Sequence, residues 1–174
     1  MPDFNIDFSA VEADSFTVVP PGNYDVTVKS VTMGRKEAEN DDEETFPYLR
    51  FEMAIADGDH AGRILFFYAS FAPERVVNGT TKRSSLPRTK ALLESFGVDV
   101  AGNVKLQVDP ASSLLVVPDL VGEPAKVRVR ADQYEGEPSA KVSRMAGTKQ
   151  PAKRVAVGAG ASGGSNGKSE NKYK

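Results

Sequence analysis

At 174 residues the chain has room for one domain and a tail. It contains no cysteine, which excludes disulfide frameworks, thiolate metal sites and cysteine nucleophiles. A formal net charge of −2 gives no global attraction to polyanions, and no stretch approaches the ~20 apolar residues a membrane helix needs. The opening run MPDFNIDFSAVEAD is acidic and has no apolar core of signal-peptide length, so a soluble, intracellular protein is expected.

Taken in chain order, Pro20-Pro21-Gly22 punctuates the entry to a first strand. There Tyr24, Val26 and Val28 alternate with Asp25, Thr27 and Lys29, the period of a half-buried strand. Residues 34–45 contain the run EAENDDEE, with six acids and no base; this segment cannot bury enough apolar surface to order itself and is expected to be a mobile loop.

The strongest pattern runs from Phe46 to Phe71. Leu49, Phe51, Met53 and Ile55 share one face of a strand, and Tyr48, Arg50, Glu52 and Ala54 the other. ADGDHAGR suits a hairpin connection. In the return strand Leu65, Phe67, Ala69 and Phe71 oppose Ile64, Phe66, Tyr68 and Ser70, so aromatic residues lie on both faces. A barrel strand needs only one apolar face, and one of these sets therefore requires a second role.

SSLPRTKALLESF reads as a helix, with Ser84 or Ser85 as cap, Pro87 in the first turn, a stripe of Leu92, Leu93 and Phe96, and Gly97 as the stop. Periodicity does not decide between strand and helix over 98–118. DLVGEP predicts a turn, and AKVRVRA a strand with Val127 and Val129 on one face and Lys126, Arg128 and Arg130 on the other. DQYEGEP is a second hairpin loop and SAKVSRMA the last strand. From Gly147 onward six bases face one acid, Glu170, in a Gly/Ser/Lys-rich composition typical of a disordered tail. The expected architecture is mostly β: a five-stranded barrel of the oligonucleotide-binding (OB-fold) type over 1–146, with one helix between strands 3 and 4, followed by a basic tail over 147–174.

Catalysis finds little support. The single histidine, His60, falls in a Gly/Asp turn and reads as a solvated turn residue; ligation of a metal by His60 with Asp57 and Asp59 is a weak pattern. The acids at 41–44 lack the spacing of a calcium loop, and a flexible acidic run does not fix carboxylates across two metal ions about 4 Å apart, as a nuclease would need. No enzyme activity, cofactor or metal is expected.

Binding finds more. Proteins that hold single strands combine cations for phosphates with aromatic platforms for bases. The outward faces of the central hairpin offer Tyr48, Arg50, Phe66 and Tyr68; the later strands offer Lys126, Arg128, Arg130, Lys141 and Arg144; Tyr134 sits in the second hairpin. Lys82 and Arg83, with Arg88, lie near the helix start, where backbone amides favour phosphate. Each feature also has a plain reading: Phe66 and Tyr68 packed beneath the helix or against the N-terminal arm, and the Lys/Arg alternation as a solvated strand face.

The stretches PPGNYDVTVKSV, LRFEMAIADGDHAGRILFFYASF, LPRTKALLESFGV and PDLVGEPAKVRVRADQYEGEPSAKVSRM together resemble a group of bacteriophage single-stranded-DNA-binding proteins long described only as a domain of unknown function. The resemblance covers roughly residues 20–146 and is most specific at the Gly58–Arg63 turn and at Gly122 before the basic strand. It implies an oligonucleotide-binding fold and sequence-independent cover of single-stranded DNA in phage replication or recombination, within a host cytoplasm. Replication or recombination proteins would be further partners. The end of the chain, GKSENKYK, is basic, unlike the acidic tip through which bacterial single-strand binders recruit enzymes. A protein-interaction or structural module of a phage complex is the alternative.

Overall fold

The computed structural model describes residues 18–35 and 45–149. Its elements are β1 (Gly22–Arg35), β2 (Pro47–Ile55), β3 (Ile64–Ser70), β4 (Arg75–Val77), β5 (Thr80–Lys82), α1 (Leu86–Ser95), β6 (Gln107–Val108), β7 (Leu115–Val117), β8 (Pro124–Tyr134) and β9 (Glu137–Gly147). Five strands form one antiparallel sheet in the order β3-β2-β1-β8-β9. The small hairpins β4-β5 and β6-β7 form two-stranded sheets of their own, and β6-β7 is joined to β1 by a bridge between Leu114 and Thr32. The helix falls between the third and fourth strands of the main sheet, as expected. Among the described residues no helix is long and apolar enough to cross a membrane.

The expected barrel closure does not occur. Among the described residues β3 and β9 are the two edges of the sheet; they approach one another but share no backbone ladder. Because each successive pair in the sheet is antiparallel, these two edges run in the same direction. Their C-terminal ends meet α1, which packs on both. The helix takes up polar groups that a closing strand pair would otherwise use. The Ser70 carbonyl accepts from Thr89 Oγ1 (2.7 Å) and Ser85 Oγ (2.9 Å), and Gly147 N–H donates to Ser95 Oγ (2.7 Å). Ser85 holds the N-cap position without a side-chain capping bond, so the expected serine cap acts instead as a link to β3.

Alternation explains which faces are buried. On β2, Leu49, Phe51 and Met53 are fully buried; Leu65, Phe67 and Ala69 of β3, Val127 and Val129 of β8, and Val142 and Met145 of β9 complete the same core. Phe96, at the end of α1, stacks on Phe51 with centroids 6.1 Å apart. In β1 the register slips between Val28 and Ser30. This bulge at Lys29 lets both Val28 and Val31 face inward, which strict alternation would forbid.

Residues 98–118 hold no helix and are mostly irregular, with two short strands: β7 pairs with β6, and Met33 N–H donates to the Ser113 carbonyl. The β8–β9 turn is two residues, Glu135 (φ 52) and Gly136 (φ 88), the positive-φ pair that matches strand twist. β4 and β5 close through Asn78 and Gly79, also at positive φ; this hairpin was not expected, although Asn-Gly is a strong signal for it. The last strand runs to Gly147, which pairs with Ala125, and Lys149 Nζ lies 2.7 Å from Glu123. Of the expected mobile loop, Gly34 and Arg35 belong to β1, and residues 36–44 lie outside the described residues. Of the expected tail, residues 150–174 lie outside them as well.

Gly147 is fixed by space. A Cβ there would run into the Ser95 carbonyl oxygen and sit 2.8 Å from Phe96 Cδ1. Gly147→Ala is therefore expected to destabilise the fold by about 1–3 kcal/mol through overpacking, read as a lower denaturant midpoint at constant m-value.

Candidate functional site

The outer face of the β2–β3 hairpin carries an aromatic cluster. Gly34 of β1 lies opposite Tyr48 in register, and the Tyr48 ring rests on it: a Cβ at Gly34 would be 2.7 Å from the ring. Tyr48 meets Tyr68 edge-on, with centroids 5.6 Å apart. One residue pair along, the Arg50 guanidinium lies 4.5 Å from the centre of the Phe66 ring. Arg50 Nε is buried and has no hydrogen-bond partner. Ile64, Phe66 and Tyr68 are 45%, 41% and 58% exposed. The reading that Phe66 and Tyr68 pack beneath the helix is thus excluded; the N-terminal arm, residues 1–17, lies outside the described residues.

The basic residues form a ladder on the other hairpin. Lys126, Arg128 and Arg130 are exposed along β8, with Arg144 opposite Arg128 and Lys141 opposite Arg130. Like charges directly opposite on a sheet repel unless something negative lies between or beside them. Lys126 has such a partner in Asp25, at 3.5 Å, and Lys141 lies 3.9 Å from Asp132. Tyr134, 70% exposed, projects beside the turn.

An open groove of about 1370 Å³ runs between edge strand β3 and the β8–β9 hairpin. It brings Phe66 and Tyr68 together with Arg130 and Lys141, residues more than sixty positions apart in the chain. Tyr48 and Arg50 adjoin it through their contacts with Tyr68 and Phe66. Lys126, Arg128, Arg144 and Tyr134 lie outside its walls, as do Lys82 and Arg83. Lys82 sits on β5 opposite Arg75, whose guanidinium covers Phe46 at 4.8 Å.

Among the described residues, four bases line the groove (Arg63, Arg88, Arg130, Lys141) against two acids (Glu52, Asp132). Arg88 was expected only as part of a helix-start loop. Arg63 and Gly34 carried no expectation, because a turn arginine and a strand glycine have no distinctive pattern. At the helix start, Leu86 N–H is already taken by Ser84 Oγ and Thr89 N–H by the Ser85 carbonyl, which reduces the free donors available to a phosphate there.

His60 is half-buried in the turn, its ring 6.2 Å from Tyr24, which in turn donates to the Pro20 carbonyl. It anchors the β2–β3 loop to the start of β1. Among the described residues no group of three or more His, Cys, Asp or Glu side chains is placed to hold a metal ion; the acids at 41–44 lie outside those residues. Asp109 has its pKa lowered, chiefly by the Ser112 hydroxyl and then by Ala111 N–H, within a local turn that does not line the groove.

The model of a family described as "Protein of unknown function (DUF669)" matches residues 4–153, and the chain belongs to that family. No curated protein matches it.

The Gly34–Tyr48–Tyr68 stack gives a direct structural test. Gly34→Ala is expected to tilt the Tyr48 ring and break its edge contact with Tyr68, at a cost of about 0.5–1.5 kcal/mol. Ring-proton resonances of both tyrosines should move together, while those of Tyr24 stay in place.

Proposed function

We propose that this DUF669 protein binds single-stranded DNA without reading its sequence, using the groove between β3 and the β8–β9 hairpin. The observation that carries this reading is the juxtaposition, along one open groove, of exposed Phe66 and Tyr68 with Arg130 and Lys141. Phosphates would meet Arg88, Arg130 and Lys141, and bases would stack on the rings. A ring platform favours single strands because a duplex already uses the faces of its bases for its own stacking. Arg50 holds Phe66 from one side and Gly34 seats Tyr48, so the platform is set before any ligand arrives.

On this reading the five-stranded sheet is an oligonucleotide-binding barrel in which the β3–β9 seam stays open, and the groove follows that seam. The role is cover of single-stranded DNA in phage replication or recombination, alongside the proteins of those processes. The residues bind and do not catalyse, with no metal or cofactor. A second reading, a protein-interaction module, draws on Leu114, Val116, Val117 and Val121, which are exposed on and beside β7.

Anisotropy titration of labelled dT oligomers is expected to show tighter binding than duplex, with a log–log salt slope of about −0.7 per phosphate contacted. Tyr68→Ala should weaken binding by about 1–3 kcal/mol if the ring stacks a base. Arg130→Ala should flatten the salt slope by roughly one phosphate contact, and Lys126→Ala should change it less, because Asp25 already partners that ammonium. Equal affinity for single strands and duplex, or no binding at low salt, would overturn the reading; recovery of a stoichiometric protein partner on the β7 side would then favour the second.

A further inference from the structure

The groove is bordered at one point by Val18 and Val19, the first described residues, so the preceding segment is joined to the chain at the groove wall itself. In that segment Phe4, Ile6 and Phe8 alternate with Asp3, Asn5, Asp7 and Ser9, the period of a strand with one apolar and one acidic-polar face. Over residues 1–17 there are four acids (Asp3, Asp7, Glu12, Asp14) and no lysine or arginine. The groove offers the complement, with apolar Ile64, Phe66 and Tyr68 beside Arg88, Arg130 and Lys141. Its flanking strand β3 is also an edge strand, with no outer strand partner among the described residues. Ten residues from Val18 to Phe8 can span up to ~33–36 Å, so reach is no obstacle. The family match, over residues 4–153, takes in Phe4, Ile6, Asp7 and Phe8.

We propose that residues 3–9 are an internal occupant of the groove, which single-stranded DNA must displace. The segment carries the two chemistries that a single strand carries, flat rings and regularly spaced negative charge. Its release would couple ligand binding to exposure of an acidic, aromatic arm. The competition half of this proposal rests on the DNA-binding reading above; the occupancy half does not.

The test uses the full chain with Phe4→Ser, Ile6→Ser and Phe8→Ser combined, and separately with Asp3→Asn and Asp7→Asn combined. Amide resonances of Ile64, Phe66, Arg130 and Lys141 are expected to shift in the first variant and, by less, in the second. Those of Gln107 and Val116, outside the groove, should stay fixed and report an intact fold. Unmoved groove amides in both variants overturn the proposal. Titration with a dT oligomer should show the triple variant binding about fivefold tighter, the gain expected if the segment fills the groove roughly four-fifths of the time. Shifted amides with unchanged DNA affinity overturn the competition. Shifted amides with no DNA binding by either protein uphold occupancy and overturn the DNA-binding reading instead.

Discussion

The arrangement depends on how α1 holds two sheet edges that do not hold each other. At its N-terminal end the helix is tied to β3 through hydroxyl bonds from Ser85 and Thr89 to the Ser70 carbonyl; at its C-terminal end it receives Gly147 of β9 on Ser95. Thr89 is the one buried polar side chain among the described residues, and its hydroxyl is satisfied. Leaving such a group unpaired would cost about 1–3 kcal/mol, more than a typical hydrogen bond contributes. The clasp therefore fixes where β3 and β9 meet. Away from it, the edges are free to diverge, and the groove lies there, between the start of β3 and the tip of the β8–β9 hairpin.

That geometry bears on why aromatic residues sit on an edge strand. Edge strands are commonly protected by charge, bulges or shortness. β3 instead exposes Ile64, Phe66 and Tyr68. Arg50 is placed over Phe66, with its Nε buried and without a hydrogen-bond partner. A cation–π contact at a partly exposed site is worth about 0.5–2 kcal/mol. An unsatisfied buried donor on a charged group costs at least the 1–3 kcal/mol of a neutral one. The pair thus gains little or nothing for stability, and its place in the structure is better explained by what it does to Phe66, which is to hold the ring in one orientation.

Much of this was legible in the sequence because the relevant signals are local. Alternation separated Leu65, Phe67 and Ala69 from Ile64, Phe66 and Tyr68 on β3, and helix punctuation located α1 within one or two residues. What stayed hidden is set by register or by distant contacts. The bulge at Lys29 has no glycine to announce it. The partnership of Lys126 with Asp25 exists only because β1 and β8 align those two positions. Whether β3 and β9 pair depends on the helix between their ends, which no window of residues reveals. The same holds for the groove: Phe66, Arg88, Arg130 and Lys141 come from four separate elements, so residue type suggested most of them and spacing could not group them. The Asn78-Gly79 hairpin differs in kind, since its signal was present and simply lies inside a segment that otherwise looks like a connector.

The weak net charge is no obstacle to a polyanion at this groove. At physiological ionic strength exposed charges beyond about 8 Å are largely screened, so the acids a ligand feels are those beside it. Among the described residues of the groove these are Glu52 and Asp132, and Asp132 is already turned toward Lys141 at 3.9 Å. Asp25 spends its charge on Lys126 and Glu123 on Lys149, both outside the groove. Arg130, by contrast, stands opposite another cation in Lys141. Two facing cations sharing one nearby carboxylate are left with a local excess of positive charge, and an incoming anion relieves their repulsion as well as gaining their attraction. The local field at the groove thus follows from β8–β9 register, which sets cation against cation, and not from the composition of the chain.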